Sequence, residues 1–195
     1  MDYRPLLRFH EDSGADCTVA VRTVSPHETH RFGMVNADST GRIIGFQEKP
    51  RRTLSRLASM GIYAFKREAL VDWITGEGAG QVDFGRDVLP GMLKAGMPLY
   101  AYRFHGYWVD AGTVQAYWEA NMALLAETPA LDLYDPAWVI HTQSEQLAPA
   151  FTGNDAFVEG SLLCDGCQVF GRVERSIIGP GAVVEAGAEV IDSIV

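Results

Sequence analysis

From about residue 151 onward the chain repeats itself every six positions, and that period constrains its fold more than any other feature. Ile178, Val184 and Val190 are spaced by six, and Leu163 and Val169 are spaced by six in an offset register. Gly181 and Gly187 recur at the same interval, as do Ala182 and Ala188. Small residues and glycines at this period specify a hexapeptide parallel β-helix, in which each repeat supplies one short strand and a tight corner. Apolar residues point into the prism and only small residues fit beside them. This reading is preferred to a series of ordinary hairpins. The pattern reaches Val195 in mid-repeat. An uncapped coil exposes its stacking edge, so the expectation is that more chain follows or that a partner covers it.

Residues 1 to about 128 have a different texture, with strand and helix patterns interleaved, which predicts an α/β or mixed layer. Cys17 to Val21 reads as a strand. Phe32 to Met34 and Ile43 to Gln47 flank a polar turn closed by Gly41, a hairpin signal. Pro50 ends the second of these strands, because proline cannot donate to the ladder. Gly61 to Phe65 reads as a strand leading into a helix over Arg67 to Ile74. Val88 to Leu93 reads as a short helix with Asp83 as candidate cap, Pro90 being tolerable only near its first turn. Leu99 to Phe104 alternates as a strand. Thr113 to Ala126 carries the strongest helical pattern, with Thr113 placed to cap it. The predicted organisation is one domain over 1–128, a proline-bearing linker over 129–150, and the repeat over 151–195.

Composition narrows the function classes. The chain has 195 residues and a formal net charge of -9. An acidic surface repels a phosphate backbone, so nucleic acid is excluded as an expected partner, whereas a small anion in a local cationic pocket is not. Asp2, Arg4, Arg8, Glu11 and Asp12 leave no apolar secretory segment at the start, and no apolar run reaches membrane-span length. Three cysteines without a targeting segment point to reduced thiols and a cytoplasmic location. Cys164 and Cys167 form a lone CxxC without a second ligand pair, and read as packed residues within the repeat rather than as a zinc site. The five histidines are scattered, and His27 to His30 lacks the HExxH spacing.

Three stretches carry chemistry. In Gly45-Phe46-Gln47-Glu48-Lys49-Pro50, a carboxylate and an ammonium adjoin at a strand end, where the chain is free to turn both toward one pocket. Lysine is a compact point charge suited to phosphate, and glutamate accepts hydrogen bonds from sugar hydroxyls. On its own this pair reads first as an exposed turn, and further stretches are needed to favour a pocket. Ser59-Met60-Gly61 places a hydroxyl and a glycine in front of an apolar strand, allowing close backbone approach to a ligand. Tyr107 to Thr113 places Asp110 between aromatics and a glycine turn, before a helix start. Asp110 is either a cap near that helix or a magnesium ligand, since Mg²⁺ takes few protein carboxylates and completes its shell with water and phosphate oxygens.

Phe32-Gly33-Met34, Phe46-Gln47-Glu48-Lys49-Pro50, Leu57-Ala58-Ser59-Met60-Gly61-Ile62-Tyr63, Asp83 to Pro90 and Gly106 to Thr113, running on to Tyr117-Trp118-Glu119-Ala120-Asn121, occur in this order. In that order they resemble the glucose-1-phosphate adenylyltransferases. Leu131 to Asp135 and the hexapeptide tail look like that family's linker and β-helix. The resemblance implies the C-terminal part of a Rossmann-like mixed-sheet nucleotidyltransferase domain, followed by the start of a left-handed parallel β-helix. It further implies that Glu48 and Lys49 hold the sugar phosphate, with Lys49 on the phosphate. Ser59 would touch the glucose and Gly33 would line the pocket through its backbone. Asp110 would be one of two aspartates holding catalytic Mg²⁺. The family has arginine where this chain has Val109, which alters the electrostatics expected around Asp110.

The same resemblance implies glucose 1-phosphate and ATP as substrates, ADP-glucose and pyrophosphate as products, and a homo-oligomer, the family being tetrameric. Met1-Asp2-Tyr3 looks like the stretch just after the family's other metal-binding aspartate. The expectation is therefore an inactive fragment without the glycine-rich nucleotide loop. Two alternatives stand beside it. One is another sugar-1-phosphate nucleotidyltransferase, such as a mannose-1-phosphate guanylyltransferase, sharing the Glu-Lys-Pro and aromatic-Asp-Gly elements. The other is a non-catalytic regulatory subunit of the same fold.

Overall fold

The computed structural model describes residues 1–141 and 146–195. Residues 142–145 of the expected linker lie outside the described residues. The chain forms two compact units, Met1–Gly106 and Tyr107–Val195.

The first unit runs α1 (Arg4–Ser13), β1 (Cys17–Thr23), β2 (Gly33–Ala37), β3 (Ile43–Glu48), β4 (Leu57–Phe65), α2 (Arg67–Thr75), α3 (Leu89–Lys94) and β5 (Leu99–Arg103). Its five strands form one mixed sheet in the order β3-β2-β4-β1-β5, in which only β1 and β5 run parallel. Cys17, Val19, Ala20 and Val21 of the interior strand β1 are fully buried, and so is Leu99 of β5. Leu89 and Met92 of α3 and Trp73 of α2 close the core over them, with the Trp73 indole donating to Gln81 Oε1 at 2.9 Å. Asp38 builds the β2–β3 turn. Its Oδ1 accepts from the Thr40 and Arg42 backbone N–H at 2.8 and 3.1 Å, and Gly41 takes a left-handed φ of 86°.

The expected helix over 88–93 forms as α3, one residue later, and a π-helical turn, Phe84–Val88, precedes it. Asp83 caps that turn through the Arg86 N–H at 2.7 Å, and Pro90 sits in the first turn of α3, where its missing N–H is harmless. Helix α1 has no counterpart among the elements read from sequence. It buries Leu6 and reaches β1 through His10, whose Nδ1 lies 2.8 Å from Thr18 Oγ1.

Burial pulls the His10 pKa down, against the smaller upward pull of Glu11 and Asp16 and with the help of Lys66. The folded chain therefore favours the neutral imidazole. The resulting stability is fully present above the unfolded value, about 6.5, and is lost as pH falls through the lower folded pKa. Melting temperatures recorded from pH 8 down to pH 5 are expected to decline less in His10→Gln than in the parent. Parallel declines would remove His10 from the account.

The second unit opens with α4 (Val114–Met122), capped by Thr113 Oγ1 accepting from the Ala116 N–H at 3.1 Å and tightening into a 3₁₀ turn over Ala123–Leu125. No residue of α4 is buried, and the expected apolar side stays open, with Val114 87% exposed. The Trp118 indole donates to the Asp192 carbonyl at 2.8 Å. Then come β6 (Phe151–Thr152), β7 (Phe157–Glu159), β8 (Leu162–Leu163), β9 (Gln168–Val169), β10 (Arg172–Glu174), β11 (Ile177–Ile178), β12 (Val183–Val184) and β13 (Glu189–Ile191). They stack into three parallel sheets, β13-β10-β7, β11-β8 and β12-β9-β6. Cys167, Val169, Val173, Ile178 and Val184 form the core, with Leu163 and Val190 packed against it.

Arg172 faces Phe157 on one side and Glu189 on the other, so successive layers are offset by 15 and 17 residues, short of three full hexapeptides. One residue per layer is lost at the corner where Gly160, Arg175 and Asp192 take left-handed φ values of 55°, 43° and 46°, and the 15-residue layer is shortened further between β9 and β10, which only Phe170 and Gly171 join. Arg175 holds Asp192 of the next layer at 2.6 Å. A serine ladder follows that corner: the Ser176 N–H donates to Ser161 Oγ, and the Ser193 N–H to Ser176 Oγ, both at 3.0 Å. Cys164 and Cys167 are free thiols, Cys167 fully buried, as the packed reading of the CxxC expects. Among the described residues no three His, Cys, Asp or Glu side chains gather as a metal set, and no helix is long and apolar enough to cross a membrane.

Candidate functional site

Three of the residues singled out from sequence come together at the outer half of the first unit's sheet. β2 and β3 pair so that Gly33 lies directly opposite Glu48. The Glu48 carboxylate fills the space a side chain on Gly33 would take: a Cβ built there would stand 2.8 Å from Glu48 Oε2 and 2.5 Å from the Phe46 ring. On its other side lies the π turn, where a Cβ on Gly85 would stand 2.5 Å from the same oxygen. The carboxylate is thus seated between two bare backbones.

β4 supplies the next wall. Val19 of β1 faces Tyr63 while Val21 faces Ser59, so β4 carries a bulge between them, with Gly61 at a φ of 70°. Ser59 is 8% exposed and its Oγ accepts from the Gly61 N–H at 3.2 Å. Burial pushes the Tyr63 phenol up. A hydrogen bond with Ser59 offsets part of that, and the nearby Glu48 carboxylate adds to it. Tyr63 therefore stays a neutral phenol beside Ser59, within the field of Glu48. Its ring packs 5.6 Å from Phe84, which also lies 5.5 Å from Phe65. Polar groups thus gather beside an aromatic cluster, a combination that suits a polyhydroxylated ligand.

At Lys49 the chain leaves the strand abruptly. Its φ is 43°, a left-handed value that a side-chain-bearing residue adopts only at a cost of about 1–3 kcal/mol, and its N–H donates to the Phe32 carbonyl at 3.1 Å. The kink ends the regular strand, and with it the strict alternation of side-chain faces. The Lys49 side chain is exposed, and among the described residues its ammonium forms no ion pair. A charge held on strained backbone without a protein counter-ion is available to an anionic ligand.

Asp110 belongs to the second unit and is exposed. Its oxygens take up room that Gly112 leaves, since a Cβ there would stand 3.2 Å from Oδ1. The cap of α4 is Thr113, so the capping role is filled by another residue. The model of the nucleotidyl transferase family matches residues 1–127. The chain belongs to the nucleotidyl transferase family.

Two relatives sharpen this. The chain is 41% identical over 198 residues to the glucose-1-phosphate adenylyltransferase of Acetivibrio thermocellus, an alignment covering 100% of this chain and 46% of that protein. It is 51% identical over 212 residues to the glucose-1-phosphate adenylyltransferase of Thermomicrobium roseum, covering 95% of this chain and 49% of that protein. The chain spans about half the length of the curated relatives it matches.

In this nucleotidyltransferase chain, Gly33, Glu48 and Ser59, singled out from sequence, lie near Tyr63, Phe84 and Gly85, which were not singled out. Tyr63 looked like a strand residue, although it stands four positions after Ser59 across a glycine, a spacing that signals a bulge. Gly85 carried a signal too, because glycine inside a helical turn needs a reason.

Proposed function

We propose that this chain carries the sugar-phosphate pocket of a glucose-1-phosphate adenylyltransferase, which makes ADP-glucose and pyrophosphate from ATP and glucose 1-phosphate. The observation that carries the reading is the Glu48 carboxylate seated between Gly33 and Gly85, beside Tyr63 and Ser59, with Lys49 next to it on strained backbone. Glu48 accepts from glucose hydroxyls, Ser59 and Tyr63 line the ring, and Gly33 lets it approach the sheet. Lys49 neutralises the phosphate. A phosphate oxygen of glucose 1-phosphate attacks the α-phosphorus of ATP, the new P–O bond forms, and the α–β bridging P–O bond breaks to release pyrophosphate. The nucleophile is already anionic, so positioning and charge neutralisation suffice and no strong base is needed.

Nucleotidyltransferases of this kind use a divalent metal ion. One exposed carboxylate suits Mg²⁺, which keeps most of its shell for water and phosphate oxygens, and Asp110 is the residue here that fits the role. The bound metal would supply neutralisation of charge on the phosphate oxygens. The three parallel sheets of the second unit fit a left-handed β-helix, whose stacking edges suit a homo-oligomer in the cytoplasm.

Ligand-observed NMR on the purified chain tests the reading, with glucose 1-phosphate and mannose 1-phosphate in parallel. Saturation transfer to glucose 1-phosphate, weaker for the mannose epimer, is the expected result. Equal transfer would favour a guanylyltransferase-like pocket, and none to either sugar phosphate would sink the assignment.

A further inference from the structure

Glycine is a poor choice for a helical turn, since it is destabilising there relative to alanine. Gly85 nevertheless occupies the buried second position of the Phe84–Val88 turn. Its φ lies outside the left-handed region, so the backbone path does not demand glycine. The reason lies in what a side chain would touch. A Cβ at Gly85 would meet Glu48 Oε2 at 2.5 Å and Glu48 Cδ at 3.3 Å, and then Phe46 Cε1 at an ordinary 3.5 Å. No backbone atom is among these nearest neighbours. The added methyl group would displace the free end of one flexible side chain and little else.

Gly33 differs. A Cβ there would also press on Phe46 Cζ at 2.5 Å, and Phe46 packs against the main core. Alanine at Gly33 disturbs fold and site together, whereas alanine at Gly85 separates them. We propose that Gly85 is a positioning residue: its bare Cα fixes where the Glu48 carboxylate sits, and through it which sugar hydroxyl is recognised. The proposal rests on the reading of Glu48 as a sugar ligand. With alanine at 85 the carboxylate must retreat by close to an ångström to reach ordinary contact, which is enough to lose an aligned hydrogen bond. The turn itself, freed of a glycine, is no less stable.

The test uses Gly85→Ala, Glu48→Ala and the double variant of this chain. Melting temperature is read beside the dissociation constants of glucose 1-phosphate and mannose 1-phosphate from NMR titration. Gly85→Ala is expected to melt at or above the parent temperature and to bind glucose 1-phosphate roughly ten-fold more weakly, with reduced preference over the mannose epimer. Because Gly85 acts through Glu48, the double variant is expected to bind no more weakly than Glu48→Ala alone. Weakened binding in Glu48→Ala with unchanged binding in Gly85→Ala would overturn the positioning role and leave the sugar-site reading standing. Unchanged binding in Glu48→Ala would overturn the site reading itself. A lowered melting temperature in Gly85→Ala, with losses that multiply in the double variant, would make Gly85 merely structural and defeat the proposal.

Discussion

Lys49→Ala is expected to weaken glucose 1-phosphate binding by about 1.5–3 kcal/mol, the cost of one charge-assisted hydrogen bond, which raises the dissociation constant roughly 10- to 150-fold. The position makes the effect separable from folding. Lys49 is exposed and sits at a φ of 43°, so its side chain supports no core and its backbone is strained. Lys49→Gly relieves the strain and removes the charge. It is expected to melt no lower than the parent while binding as poorly as the alanine variant. Titration of the three proteins with glucose 1-phosphate, with glucose as an uncharged comparison, checks both parts. Glucose binding is expected to change little, because the ammonium addresses only the phosphate. An equal loss for glucose would show a collapsed pocket instead of a missing charge.

The second large effect is on rate. In a protein that carries this chain and forms ADP-glucose, Asp110→Asn is expected to lower kcat by roughly 10²–10³-fold, the scale of removing one group that stabilises charge developing at the reacting atoms. The fold is expected to survive, because Thr113 caps the helix start. Thr113→Ala is the matching comparison. It forfeits the cap and about 1 kcal/mol of helix stability while leaving the carboxylate in place. Steady-state rates at saturating ATP and glucose 1-phosphate, measured over a magnesium titration, separate the two. A kcat for Asp110→Asn within a few-fold of the parent would remove the aspartate from the chemistry.

What the sequence made legible was the part governed by local pattern. The β2–β3 hairpin announced itself through Asp38 and Gly41, and both do the work expected in the turn. Thr113, Asp83 and Pro90 marked helix boundaries for reasons confined to one turn, and all three stand where that chemistry puts them. The six-residue period placed Val169, Ile178 and Val184 in a common core. The length of each layer was not legible, because it is set by tight corners at Gly160, Arg175 and Asp192, two of them side-chain-bearing residues in a glycine conformation, and by the two-residue corner at Phe170 and Gly171. Helix α1 was missed although its apolar and polar residues segregate to opposite sides, because Asp2 to Asp12 were read only for the absence of an apolar leader.

The candidate site divides in the same way. Glu48, Lys49 and Ser59 were visible as residue types beside turns and strand ends, and Gly33 through the family resemblance alone. Tyr63 and Gly85 matter through neighbours distant in sequence, and only the bulge in β4 and the π turn before α3 bring them to Glu48. Asp110 stays a proposal drawn from residue type and from the order of motifs.

The central proposal is that Glu48 and Lys49, adjacent at the end of β3, hold one phosphorylated hexose. A crystal structure of the protein with glucose 1-phosphate tests it directly. The expected result is a phosphate oxygen within hydrogen-bonding distance of Lys49 Nζ, about 2.7–3.2 Å, with a sugar hydroxyl donating to the Glu48 carboxylate. Glucose 1-phosphate bound away from both side chains would contradict it.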